Sequence, residues 1–133
     1  NDLTVAGRKL AGVLAGCDPP AIVVGIGVNL RKAGGLPPEA ISADEVTDRP
    51  VEADGLLDRL LAGLAGWYGR WDDVAAAYRR RCASVGQRVR VDGVAGALDG
   101  VAVDVDGNGH LVVEAGGSRH TIAAGDVVHL RPA

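Results

Sequence analysis

Apolar and polar positions follow three successive patterns along this chain. The first is strand-like. Asn1–Val5 and Lys9–Ala15 flank Ala6-Gly7-Arg8, a short Gly-containing connection that predicts a β-hairpin turn. Ala21–Val28 is a β-branched run (Ile22, Val23, Val24, Ile26, Val28) launched by Asp18-Pro19-Pro20, prolines that a central strand cannot hold. These three strands are expected in one sheet. Residues 31–50, with Gly34-Gly35, Pro37-Pro38 and Pro50, predict a long loop with one helical turn around Ile41–Val46.

From Val51 the period becomes helical. Leu56, Leu57, Leu60, Leu61, Leu64 and Tyr68 recur at spacings of three and four, which predicts a helix of ~15–18 residues with one apolar stripe, broken at Gly69. Asp72 is placed to cap a second helix running through Val74, Tyr78 and Cys82. Its Arg79-Arg80-Arg81 triplet near the C-terminus reads as solvated cations offsetting the helix dipole. After Gly86 come short alternating strands, Arg88–Asp92, Ala97–Val105, Leu111–Glu114, Arg119–Ile122 and Val127–Leu130, with Asp106-Gly107-Asn108-Gly109 as a hairpin turn. Five short strands in one segment suggest a small barrel. The expected fold is α+β, with a sheet-and-helix part over 1–82 and a β-barrel part over 83–133.

Composition narrows the function classes. The chain has 133 residues, 47% hydrophobic and 23% charged, which excludes disorder and collagen-like repeats. The apolar runs Ala21–Ile26 and Leu60–Leu64 stop far short of the ~18–20 residues of a membrane span, so a soluble protein without a membrane partner is expected. A net charge of −3 gives no basic field for a phosphate backbone, so nucleic acid is not an expected partner. Cys17 and Cys82 stand apart from each other and from any Cys/His cluster; they read as small buried hydrophobes in a reducing cytoplasm. Methionine is absent, and Asn1–Val5 already looks like the inside of a strand. The expectation is a C-terminal piece of a longer chain.

Candidate chemistry gathers near the N-terminus. In Ile22–Asn29, Ile22, Val24, Ile26 and Val28 share one face, expected to be core. Val23, Gly25, Gly27 and Asn29 share the other, which is nearly bare backbone ending in a carboxamide. Two glycines in register mark a close approach by another segment or a ligand. Gly25-Ile26-Gly27 is not a dinucleotide fingerprint, because Leu30 stands where the third glycine belongs, and no phosphate-binding P-loop occurs. His110, His120 and His129 lie in the barrel segment and read as surface or strand-pairing residues. Lys9 heads an otherwise apolar strand, and the hairpin brings it to Asn1 and Asp2. A point cation there suits a carboxylate or phosphate oxygen.

The residues then match a family. Asn1-Asp2-Leu3, Gly7-Arg8-Lys9-Leu10-Ala11-Gly12-Val13-Leu14, Val24-Gly25-Ile26-Gly27-Val28-Asn29, the Arg79–Val91 join and the Ala124–Arg131 ending together resemble the C-terminal half of bacterial biotin–protein ligases. The family's acid a few residues after the lysine strand is replaced by Gly16-Cys17, and its glycine- and arginine-rich loop, which lies upstream of the Asn-Asp pair, is not in this sequence. The resemblance implies part of a mixed sheet with packed helices, followed by an SH3-like barrel. It also implies ligation of biotin to a lysine of a biotin carboxyl carrier domain, with ATP and magnesium, through biotinyl-5′-adenylate, in the cytoplasm.

By that resemblance Lys9 and Asp2 are catalytic candidates. Lys9 binds the carboxylate and α-phosphate oxygens, and Gly12, Gly25 and Gly27 provide a floor. Asn1, Asp2 and Asn29 hold the nucleotide, the incoming amine or magnesium, with Asp2 as the possible metal ligand. The isolated chain is expected to be inactive. Strict alternation puts Lys9 and Gly12 on opposite faces, so either a bulge intervenes or one of them acts through its backbone. The rival readings are a lipoate ligase or octanoyl transferase relative, which lacks such a barrel ending, and a non-catalytic interaction module built around the barrel.

Overall fold

A computed structural model describes all residues except 33, 34, 48, 94, 95 and 131–133. Arg131, the end of the family-like tail, therefore lies outside the described residues. Two compact units emerge, Asn1–Leu64 and Ala65–Ala133. The break falls upstream of residue 82 because the segment after Leu64 packs with the barrel.

The first unit holds a three-stranded antiparallel sheet in the order β1 (Asp2–Val5), β2 (Arg8–Asp18), β3 (Ala21–Val28). Ala6 and Gly7 both adopt positive φ, 49° and 77°, as a tight two-residue turn between right-twisted strands requires. Register along β1 slips once. Leu3 faces Ala11 and Thr4 faces Lys9, so Leu10 is an extra residue in β2. This bulge is one of the two arrangements that the Lys9/Gly12 conflict demanded.

Past Val28 the chain leaves the sheet, and a later segment takes over beside the root of β2. There Lys9 forms a parallel bridge with Ala40, which makes the sheet mixed at this point. Ala40, Ile41, Ser42 and Ala43 are buried and, with Ala11, form the small core of this unit. A four-residue helix, α1 (Ala43–Val46), follows. The Ser42 backbone N–H donates to Glu45 Oε2 at 3.1 Å, half of the reciprocal pairing that Ser-x-x-Glu supports.

The expected core face of β3 is only partly a core. Ile26 and Val28 are half-buried, but Ile22 and Val24 are 73% and 53% exposed. Alternation distinguishes two faces of a strand without saying what covers either. Cys17, which pairs with Ile22, is exposed for the same reason, and Cys82 is half-buried; both are free thiols rather than buried ones. Helix α2 (Ala53–Trp67) carries the predicted leucine stripe, with Leu56 and Leu60 half-buried and Leu57, Leu61 and Leu64 exposed. Gly69, at φ 81°, follows its end.

Helix α3 (Trp71–Arg81) starts at Arg70, not at Asp72, which lies within its first turn and favours the dipole without capping the helix. Arg79 is not merely solvated. Its guanidinium donates to the Val105 carbonyl at 2.8 and 2.6 Å and sits 2.8 Å from Asp104, joining α3 to the barrel.

The barrel strands are β4 (Arg88–Gly93), β5 (Gly96–Val105), β6 (Leu111–Ala115), β7 (Ser118–Ile122) and β8 (Asp126–His129), ordered β7-β6-β5-β4-β8 with antiparallel pairing throughout. Val89, Val91, Ala102 and Val113 are its buried centre, and Leu98, Leu111 and Ile122 pack around them. Gly100 is obligatory here, since a Cβ would sit 2.5 Å from the Glu114 carbonyl oxygen and 2.6 Å from Val113 Cγ1. His110 pairs with Asp106 across the turn at 3.1 Å, and His129 Nε2 lies 2.9 Å from Ser84 Oγ, so two of the three histidines have local polar partners. Among the described residues no helix is long and apolar enough to cross a membrane.

Candidate functional site

The bulge at Leu10 decides the geometry of the site. One extra residue between Lys9 and Gly12 restores them to the same face, and the lysine side chain lies across the glycine. A Cβ on Gly12 would meet Lys9 Cε and Nζ at 3.4 Å and Asp2 Oδ1 at 3.7 Å. Asp2 pairs with Gly12 and Gly12 with Gly27, so the three form one row across the sheet; Leu14 and Gly25 form the next. Lys9 Nζ is 2.8 Å from Asp2 Oδ1. With side chains 50% and 42% exposed, that ion pair contributes only ~0.2–1 kcal/mol to stability. Its value is therefore positional.

Asn1, Asp2, Lys9, Gly12, Val13, Leu14, Gly25, Ile26 and Gly27 line one open recess of about 490 Å³. A Cβ on Gly27 would point into open space, and one on Gly25 would approach nothing nearer than the Leu14 carbonyl at 3.8 Å. The glycine row is thus a flat backbone floor beside a cation and a carboxylate. It can receive a planar or anionic group but does not enclose one.

Six of the seven residues singled out from the sequence meet at this recess. Asn29 is placed differently. Its Nδ2 donates to the carbonyls of Lys9 at 3.2 Å and Ile41 at 3.3 Å, so it tethers the backbone under Lys9 and does not line the recess.

Sequence reasoning missed the strap, residues 37–45, that brackets Lys9. The Lys9 N–H donates to the Glu39 carbonyl at 2.7 Å, and the Ile41 N–H donates to the Lys9 carbonyl at 2.9 Å. Arg8 grips the same strap, with Nη2 donating to the Ala40 carbonyl at 2.6 Å and Nε to the Pro38 carbonyl at 3.3 Å. The Ser42 hydroxyl, wholly buried and with one proton to give, lies within reach of both Asp44 and Glu45. Ser42 holds both carboxyls below their ordinary values, helped by the Lys32 N–H at Asp44 and by Lys32 and Arg8 near Glu45. The legible signal was Ser42-Ala43-Asp44-Glu45, a helix-start pattern. Among the described residues no cluster of three metal-ligating side chains occurs.

Comparison with known proteins agrees along the whole chain. Residues 85–130 match the family described as biotin protein ligase C terminal domain. The chain is 38% identical over 142 residues to the biotin--[acetyl-CoA-carboxylase] ligase of Mycobacterium tuberculosis, a match covering 98% of this chain and 52% of that protein. It is 28% identical over 145 residues to the enzyme of the same name from Paracoccus denitrificans, covering 96% and 60%. The chain thus spans about half the length of the curated relatives it matches. Its fold is that of the biotin protein ligase from Aquifex aeolicus: TM-score 0.84 to the apo structure at 20% identity, covering 99% of this chain and 63% of that one. The complex of the same ligase with biotin and ATP gives 0.79 at 20% identity, covering 99% and 60%. These matches make the chain similar along its length to biotin protein ligases, with residues 85–130 matching their C-terminal domain.

Proposed function

We propose that this chain contributes the lysine-and-glycine part of the active site of an ATP-dependent biotin–protein ligase, with residues 1–82 belonging to the catalytic domain and 83–133 forming the barrel. The observation that carries this reading is the Lys9 ammonium lying across Gly12, beside Asp2, above a bare row that continues to Gly27. In the first step the biotin carboxylate attacks the α-phosphate of ATP, forming biotinyl-5′-adenylate and releasing pyrophosphate. In the second a carrier-domain lysine amine attacks the acyl carbon and AMP departs. Two anionic groups must meet in the first transition state, and charge moves from the attacking carboxylate oxygen to the non-bridging α-phosphate oxygens and the departing pyrophosphate; Lys9 Nζ is the cation positioned to offset that repulsion and that charge.

Gly12, Gly25 and Gly27 let flat ligand groups approach the backbone directly, which a Cβ at Gly27 would obstruct. Among the described residues Asp2 is the one carboxylate lining the recess, so a magnesium ion would arrive on the nucleotide phosphates, with Asp2 as its protein ligand. When bound, that ion supplies charge neutralisation at the phosphates. Asn1 serves the nucleotide or the acceptor amine, whereas Asn29, its amide engaged by the Lys9 and Ile41 carbonyls, acts by anchoring the backbone at Lys9. The acceptor we propose is the biotin carboxyl carrier domain of acetyl-CoA carboxylase, with the reaction in the cytoplasm.

The recess is open, and the relatives are about twice as long; further residues of a longer polypeptide complete the enclosure in this reading, and the 133-residue chain alone does not adenylate biotin. The test is biotin-dependent exchange of labelled pyrophosphate into ATP by the full polypeptide. Exchange driven by lipoate or octanoate and not by biotin would overturn the proposal.

A further inference from the structure

We infer that Arg8 is a positioning residue for Lys9, acting through the 37–45 strap; the kinetic part of this inference rests on the ligase reading above. β3 ends at Val28, so beyond that point the hydrogen-bonding edge of β2 at Lys9 has lost its strand neighbour. The strap replaces it, accepting from the Lys9 N–H through Glu39 and donating to the Lys9 carbonyl through Ile41. Those two bonds hold the backbone at the bulge, and the bulge turns the Lys9 side chain onto the Gly12 row.

Arg8 is the side chain that pins the strap there. Its planar fork donates to two strap carbonyls, Ala40 and Pro38, and the same Nη2 lies 3.6 Å from Glu45 Oε1. Glu45 in turn takes the backbone N–H and hydroxyl of the buried Ser42. A chain of contacts thus runs from Ser42 through Glu45 and Arg8 to the carbonyls of Pro38 and Ala40, which flank Glu39, the acceptor of the Lys9 N–H. Arg8 sits at the turn end of β2 and is absent from the recess lining, so it influences the ligand only through Lys9.

Two measurements on the full polypeptide test this. Without ligands, Lys9 is acetylated competitively with acetic anhydride and quantified by mass spectrometry. An ammonium held against Asp2 reacts slowly, and Arg8→Gln should speed its labelling by roughly 3–10-fold while leaving other lysines unchanged. With biotin and ATP, Arg8→Gln should slow single-turnover adenylate formation ~10-fold with the KM for ATP within about 2-fold, as misplacement of a catalytic group predicts. In a Lys9→Ala background it should add no further loss. Arg8→Lys, which keeps the charge without the fork, should restore part of the rate. Glu45→Gln loosens the same grip more gently and serves if Arg8→Gln fails to fold. Unchanged Lys9 labelling, or a rate loss that adds fully to that of Lys9→Ala, overturns the positioning role. Altered labelling in a polypeptide that forms no biotinyl-adenylate upholds the role and sinks the ligase reading instead.

Discussion

Removing the Lys9 ammonium separates stability from chemistry. In Lys9→Ala the 2.8 Å contact with Asp2 is lost, but both partners are close to half exposed. The stranded carboxylate stays hydrated, and the folding cost is ~0.2–1 kcal/mol, a melting shift of no more than about 4 °C. The kinetic cost is larger because the same ammonium offsets the repulsion between carboxylate and phosphate and the charge shifted onto the phosphate oxygens, both of which peak as the new bond forms. Loss of one such preorganised group lowers rates by ~10²–10³, or about 3–4 kcal/mol. Lys9→Arg should recover only part of this. The lysine already lies 3.4 Å from where a Gly12 Cβ would stand, and a planar guanidinium must tilt off that floor or displace Asp2. The assay is single-turnover biotinyl-adenylate formation by wild-type, Ala and Arg forms of the full polypeptide at saturating ATP and biotin, beside their melting curves. An Ala variant as fast as wild type removes Lys9 from the mechanism. One that melts ~10 °C lower, against the small shift expected, would show that the lysine is a structural brace.

Two further predictions concern the supports of each unit. Gly100→Ala drives a methyl to 2.5 Å from the Glu114 carbonyl and 2.6 Å from Val113 Cγ1, so β5 and β6 must part; a loss of ~1–3 kcal/mol or more is expected in denaturant titration, and an unchanged midpoint would refute the assigned register. The strap should weaken in acid. Asp44 and Glu45 have folded-state values below their ordinary 3.8 and 4.5, so their contribution is complete above those ordinary values and fades as pH falls through the lowered ones. Protection of the Lys9 and Ile41 amides, measured against the intrinsic exchange rate at each pH, should fall over that range, and Ser42→Ala should flatten the dependence.

How much of this was legible in the sequence follows from the range of the forces involved. Strand and helix periods are local, and every strand of both sheets lies within a few residues of where alternation places it, as does the leucine-striped helix α2. The glycine face of Ile22–Asn29 was legible too, because a bare strand face is a property of one segment. The elements Asn1-Asp2, Lys9 and Gly12 were legible as neighbours through a single hairpin.

What tertiary structure alone decided lies at longer separations. Whether Lys9 shares a face with Gly12 depends on one unpaired residue, Leu10. That bulge is held by a strap some 30 positions away, whose carbonyls and amides complete a strand edge that β3 abandons. Arg79 looks like one of three solvated cations until β5 presents the Val105 carbonyl within its reach. Ile22 and Val24 occupy an apolar face by period yet stand exposed, because alternation specifies which side chains belong together and only packing specifies what meets them.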